Sequence, residues 1–204
     1  AFPIFAFLLV EGFFHTRDLR RYVLRLLLLA LLSEIPFDLM YAGTSFFPFH
    51  QNVIWTFLIA LFCMWVIERV KRRGNLWLTL LAAAGMSLAG WLAGTIAMVD
   101  YYGAGVLTVL VFYLFRGGLW WQRLGQAAGM IWINCGLLAG LVLQVNILGL
   151  TVEFPQQGFA LLALIPIWLY RGRQGYHSRW VQMACYLFYP VHILVLAMMV
   201  RFLL

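Results

Sequence analysis

The chain has 204 residues, of which 65% are hydrophobic and only 10% charged, with a net charge of +7. This composition excludes a soluble globular domain. Every Lys and Arg except Arg201 lies in or beside four short segments, at 15–25, 69–73, 116–123 and 171–179, while the connections between them, at 41–51, 100–102 and 151–157, hold none. Charge placed this regularly is explained by membrane topology and leaves no case for nucleic-acid binding. The basic connections are expected in the cytoplasm and the carboxyl terminus outside.

A lipid-spanning helix takes about 20 apolar residues. Eight runs approach that, near 1–14, 21–41, 52–69, 76–98, 103–116, 126–150, 158–171 and 180–204. Backbone groups in lipid must be paired internally, and no ten-residue strand alternation is visible, so the runs are expected as helices. The fold class expected is all-α: a polytopic transmembrane bundle forming one integral-membrane domain over 1–204. The first run rises only ~21 Å against a hydrocarbon core of ~30 Å, so one more span is expected before Ala1. Gly90 and Gly94, then Gly136 and Gly140, have the spacing that lets membrane helices approach closely. Pro36, Pro166 and Pro190 fall inside apolar runs and are expected to bend their helices. Cys63, Cys135 and Cys185 are widely separated, fit buried packing and have no metal-ligand spacing.

Ionisable side chains within spans are costly and need a partner or a task. Glu11 and Arg25 lie at similar depth on the first two runs, which favours an interhelical ion pair. Glu11 also stands four residues from His15, an alternative that would orient the imidazole. Glu34 and His192 each lie about a dozen residues from a basic loop, ~18 Å into the membrane. Matched depth suits an acid–base dyad. A neutral His192 bonded to a carbonyl freed by Pro190 is equally consistent. Asp38 lies nearer the outer face, where solvation is the simpler reading. His50 and Asn52 either line an outer vestibule or form a polar turn with Asn52 as a helix cap. Tyr102 heads the fifth run. Arg69, Lys71, Arg72 and Arg73 are a topology signal or a cytoplasmic site for a polyanionic cofactor, with Arg20 and Arg21 as second choice.

Six stretches carry a resemblance that covers essentially the whole chain: AFPIFAFLLVEG at 1–12, SEIPFD at 33–38, NVIWTF at 52–57, DYYGAGVL at 100–107, YLFR at 113–116 and LFYPVH at 187–192. In this order they resemble the TraX-type family of integral-membrane pilin acetylases. The resemblance implies a bacterial inner-membrane protein that acetylates a pilin-like or other exported acceptor, and a distant kinship with acyltransferases that use cytoplasmic acyl-coenzyme A. By position, His192 corresponds to the histidine of the last-helix motif, Asn52 to the asparagine opening a span, and Tyr102 and Gly103 to a tyrosine–glycine step. Family members also begin with a further helix bearing an Asp–His pair, which is absent from these residues.

The expected function is therefore acetyl-coenzyme A-dependent N- or O-acetyl transfer within the bilayer. His192, Glu34 and Asp38 are the expected catalytic residues. His50, Asn52 and Tyr102 are expected to bind the acceptor. The arginine–lysine loops are expected to hold the coenzyme phosphates, with no metal required. A small transporter and a noncatalytic pilus or membrane assembly factor are the rival expectations.

Overall fold

The computed structural model describes residues 1–147, 150–170, 172 and 178–203, and most of these are helical. The first five helices are α1 (Phe2–His15), α2 (Leu19–Ala42), α3 (Val53–Lys71), α4 (Leu76–Ile96) and α5 (Tyr102–Leu114). Short polar caps set their starts. Asp18, Asn52 and Asn75 each accept a backbone N–H from the first turn of α2, α3 and α4, which satisfies donors that a helix start leaves unpaired. Gly43, at φ 69°, ends α2 in the left-handed conformation.

The core lies where α3, α5 and α1 meet, and Val10, Ala60, Met64, Val106 and Val109 are fully buried there. α4 packs on α3 and α5. It does so through Gly90 and Gly94: a Cβ on Gly90 would come within 2.8 Å of Val106 and 2.9 Å of Cys63, and one on Gly94 within 2.9 Å of the Tyr102 carbonyl. The expected close approach is real at this pair. It is not at the second, where a Cβ on Gly136 or Gly140 would meet nothing nearer than 3.9 Å.

Leu28, Leu31, Leu32, Trp77, Leu81 and Ile96 project outward from the bundle. A rim of exposed large apolar side chains is what lipid requires and water forbids. Among the described residues, three helices are long and apolar enough to cross a membrane: Val53–Lys71, Leu76–Ile96 and Met183–Arg201. The bundle treats them differently, since 44% of the first is buried and only 6% of the second. α3 is thus the central element and α4 a peripheral one. α2 is longer, at 24 residues, but carries Arg20, Arg21, Arg25, Glu34 and Asp38.

The eight-span expectation is met only in part. The run at 126–150 is not one helix: α6 (Trp120–Ile131) passes into a π-helical turn (Trp132–Leu137), followed by the antiparallel strands β1 (Val142–Ile147) and β2 (Leu150–Pro155). Gly136 and Gly140 weaken the helix there. β-Branched residues alternating with Gln144 and Asn146 favour the extended chain. Gln144 donates to Glu153 across the strands. The run at 158–171 becomes a 3₁₀ segment (Gln156–Ala163) and the short α7 (Leu164–Leu169). α8 (Arg179–Leu203) contains Pro190 and packs along α2, which contains Pro36. Of the fourth basic segment, Arg171 and Arg173 lie outside the described residues.

Candidate functional site

Two polar regions mark opposite ends of the α2–α3 pair. The turns joining α1 to α2 and α3 to α4 carry the arginines and form a basic end. At the other end, Glu34 and Asp38 in the second half of α2 and Asp100 in the turn joining α4 to α5 form an acidic end beside the α2–α3 turn.

At the basic end a cavity of about 580 Å³ is lined by Arg17, Arg69, Arg72 and Arg73, with Phe13, Phe14 and Trp65. Three of the four residues expected in the 69–73 cluster therefore share one cavity, and Lys71 is not among its lining. The Arg69 guanidinium lies 5.1 Å from the Trp65 ring centre. Glu68 enters the same lining and accepts the Tyr113 hydroxyl at 3.0 Å. Arg20 lines a neighbouring groove with Arg17 and Trp65. Arg21 is occupied locally, 3.0 Å from Asp18. Arg17 is the residue that sequence reading missed, because the N-cap of α2 turns its loop toward α3.

The Glu11–Arg25 pair is not formed. Glu11 is instead gripped by Arg116, whose Nε and Nη2 lie 2.7 and 3.3 Å from the two carboxylate oxygens. Arg25 donates Nε to the Arg21 carbonyl. The reason is packing: α1 runs along α5, and Arg116 follows immediately after α5. His15 stands 3.7 Å from Glu11, so the alternative contact exists as well.

The acidic end is built around α2 and the start of α3. Asn52, fully buried, caps α3 by accepting Ile54 N–H at 3.0 Å and donates to the Ala30 carbonyl at 2.9 Å. The same amide donates to Glu34, and Trp55 Nε1 donates to that carboxylate oxygen at 2.9 Å. Glu34 is thereby fixed by two neutral donors, one helical turn apart on α3. The helix-cap reading of Asn52 holds, with its amide fully buried against Ala30 and Glu34.

Asp38, 2% exposed, accepts the Phe47 amide at 2.9 Å. His50 is 8% exposed, with its ring centre 4.5 Å from Tyr41 and 5.6 Å from Phe37. Its Nε2 lies 3.8 Å from Asp100 Oδ1. Asp100 sits in the α4–α5 turn, which pairs with Gln51 through its backbone and receives the Thr56 hydroxyl at 2.8 Å. Burial pushes the Asp100 carboxyl up from its ordinary range, and His50 pulls it back. The turn is strained: Met98, Tyr101 and Tyr102 all have positive φ, at 51°, 61° and 48°. Strain of this kind costs of order 1–3 kcal/mol per residue and collects where placement matters. Tyr102 comes within 5.7 Å of the His50 ring. From α8, Tyr189 packs against the core at this end, as does Val53.

Among the described residues, the buried side-chain atoms without a hydrogen-bond partner are Ser33 Oγ, Glu34 Oε1, Asp38 Oδ1 and His50 Nδ1. All four belong to this end. Buried polar groups left open are expensive, and four of them gather at this end.

His192 is elsewhere. Its Nδ1 lies 3.0 Å from the Tyr189 carbonyl of its own helix, and its ring stacks on Phe188 at 5.1 Å. It borders an apolar groove with Val191, Val195 and Leu196. The expected Glu34–His192 dyad is not formed. Among the described residues, no group of His, Cys, Asp and Glu side chains is arranged to hold a metal.

A family described as "TraX protein" matches residues 1–200. The chain belongs to the TraX family. One relative, named "Probable fimbrial assembly protein FimC, serogroup H1" from Dichelobacter nodosus, is 29% identical over 206 residues, covering 95% of this chain and 77% of that protein. No solved structure matches. Membership of the TraX family fits the outward apolar rim and the three membrane-length helices, and this TraX chain is a membrane protein.

Proposed function

We propose that this protein is a membrane-embedded acyltransferase of a pilus-building system, moving an acetyl group from acetyl-coenzyme A to the N-terminal amine of a pilin-like or other exported acceptor. The observation that carries it is the pairing of two unlike polar sites at opposite ends of α2 and α3 in an otherwise apolar bundle. Membership of the TraX family and the fimbrial name of the Dichelobacter nodosus relative supply the pilus context.

The basic cavity fits the coenzyme. Four guanidinium groups suit phosphates, which arginine binds through paired N–H groups. Trp65 and Phe14 offer flat surfaces for an adenine. Arg17, Arg69, Arg72 and Arg73 would hold the phosphates. Lys71, Arg20 and Arg21 would add attraction from nearby. When bound, the coenzyme supplies an activated acetyl thioester. Glu34, oriented by Asn52 and Trp55, and Asp38 would receive the cationic end of the acceptor through their open oxygens, while Tyr102 borders its path. The basic loops face the cytoplasm in this reading, by the positive-inside rule, and the carboxyl terminus lies outside. Anionic lipid surrounds the arginines.

Intact-mass analysis of pilins and other exported proteins tests the proposal. Cells with the gene should show an acceptor heavier by one acetyl group, and cells lacking it should not. The FimC name favours one rival, a noncatalytic assembly factor. That rival gains the ground if pilus assembly depends on the gene while every acceptor mass is unchanged. A transporter would instead move a solute across vesicles without binding acetyl-coenzyme A.

A further inference from the structure

We infer that His50, held against Asp100, is the proton acceptor at the acidic end, and that Asp100 is its positioning residue. The inference rests on the acyl-transfer reading above and goes beyond it by assigning the base to the α2–α3 turn.

Three observations converge. The first is geometry: Nε2 faces Asp100 Oδ1 at 3.8 Å, while Nδ1 is buried and has no partner. An imidazole with a carboxylate at one nitrogen and an open position at the other has the arrangement a general base needs, and such contacts tighten when substrate arrives. The second is rigidity. Tyr41 and Phe37 clamp the ring, and the Gln51–Val99 bridge fixes its turn to the turn that carries Asp100. The third is company, since Glu34 Oε1 and Asp38 Oδ1 leave open carboxyl oxygens at the same end. They would draw an ammonium group close to the open nitrogen.

The chemistry balances. The acceptor arrives as an ammonium and gives one proton to Nδ1, which returns it to water. The free amine then attacks the thioester carbonyl, a carbon–nitrogen bond forms and the carbon–sulfur bond breaks. The remaining excess proton passes from nitrogen through Nδ1 to the departing thiolate, leaving an amide and the coenzyme thiol. Asp100 stabilises the imidazolium between these transfers.

The test uses membrane vesicles carrying the full chain and its native membrane proteins, with radiolabelled acetyl-coenzyme A as probe and label followed into protein amines. His50→Gln is expected to lower turnover by about 10²-fold or more, the usual worth of general-base assistance, with binding of acetyl-coenzyme A unchanged. Asp100→Asn should lower it less and move the low-pH limb of the rate to lower pH, because the imidazolium loses its anion. The titratable groups nearest the ring are Asp100, Tyr41 and Tyr102; Glu34, Asp38, Tyr101 and Tyr189 complete this end. Wild-type turnover in His50→Gln, or an Asp100→Asn pH profile superimposable on that of the wild type, overturns the assignment. No label transfer by the wild type overturns the acyl-transfer reading and removes the proton-accepting role with it.

Discussion

Arg69, Arg72 and Arg73 at one end of α3 are exposed, whereas Asn52 and Thr56 at the other are fully buried. The two ends lie ~25 Å apart along one helix. Exposed arginines keep their hydration and cost the fold little, so they can gather around a cavity without partners. Buried groups have no such freedom: Asn52 must satisfy Ala30, Glu34 and Ile54 at once. Polar atoms left open among so many satisfied neighbours therefore say more about function than a row of solvated charges does. The contrast teaches where substitutions should hurt.

The largest effect on stability should come from Asn52→Ala. It removes a helix cap and leaves the Ala30 carbonyl and Glu34 short of a donor. A cap contributes about 1 kcal/mol, and a stranded buried group costs about 1–3 kcal/mol. A loss of about 2–4 kcal/mol is expected as a lower thermal midpoint of the detergent-solubilised protein. Asn52→Asp keeps a capping oxygen but sets a second carboxylate against Glu34, so it should recover only part of the loss. An unchanged midpoint in Asn52→Ala would erase the contrast between the ends.

Next in size is the Glu11–Arg116 pair. It is partly exposed, with the arginine side chain 36% accessible, so the cost of breaking it is set at about 2 kcal/mol, below the range for fully buried pairs. Glu11→Gln or Arg116→Gln alone should lower folded yield, and replacing both with apolar residues should restore part of it. Arg25→Ala should do neither. A double substitution no better than the worse single one would deny that the two residues act as a pair.

These partners show what the sequence discloses and what it withholds. The alternation of basic and neutral connections identified both ends of the bundle, because charge placement is a one-dimensional signal. Depth is one-dimensional too, so Glu34, Asp38 and Asn52 could be singled out. Direction around a helix axis is not. Nothing local to Glu11 says that it turns toward α5 and meets a residue 105 positions later. Matched depth likewise suggested Glu34 with His192, whereas α8 presents His192 to an apolar groove. The hairpin was missed for another reason. Its residues are apolar enough for a membrane run, and hydropathy alone does not weigh β-branched residues and Gly136 and Gly140 against a helix. The His50–Asp100 contact depends on two turns meeting, which neither turn announces.

At the basic end the effect should be smaller and should fade with salt. Replacing Arg69, Arg72 and Arg73 together with Gln is expected to weaken acetyl-coenzyme A binding about tenfold, ~1.4 kcal/mol, at low ionic strength. The difference should shrink as salt rises, because exposed charges are screened within about 10 Å at 0.1 M. Arg20→Gln with Arg21→Gln should do less, since Arg21 is already held by Asp18. Membrane orientation must be measured in each variant by labelling single cysteines from outside, at Ser45 and Glu153. Correctly inserted triple variant with wild-type affinity would remove the coenzyme from this cavity.

The smallest effect should come from His192→Ala. By family correspondence this is the expected catalytic residue, and its place in the fold argues otherwise. Its polar contact is the carbonyl of Tyr189 one turn back, and its ring lies flat on Phe188. A group that orients another molecule needs a polar atom facing the reacting space, and among the described residues the open buried atoms lie with His50, Asp38, Glu34 and Ser33. His192→Ala should therefore change turnover by no more than about threefold, under 1 kcal/mol, while Phe188 repacks. The comparison with His50→Gln is the sharpest use of the two histidines, since both variants remove an imidazole and one lies outside the acidic cluster. Loss of transfer in His192→Ala, with His50→Gln still active, would move the reaction site out of the α2–α3 turn and onto α8.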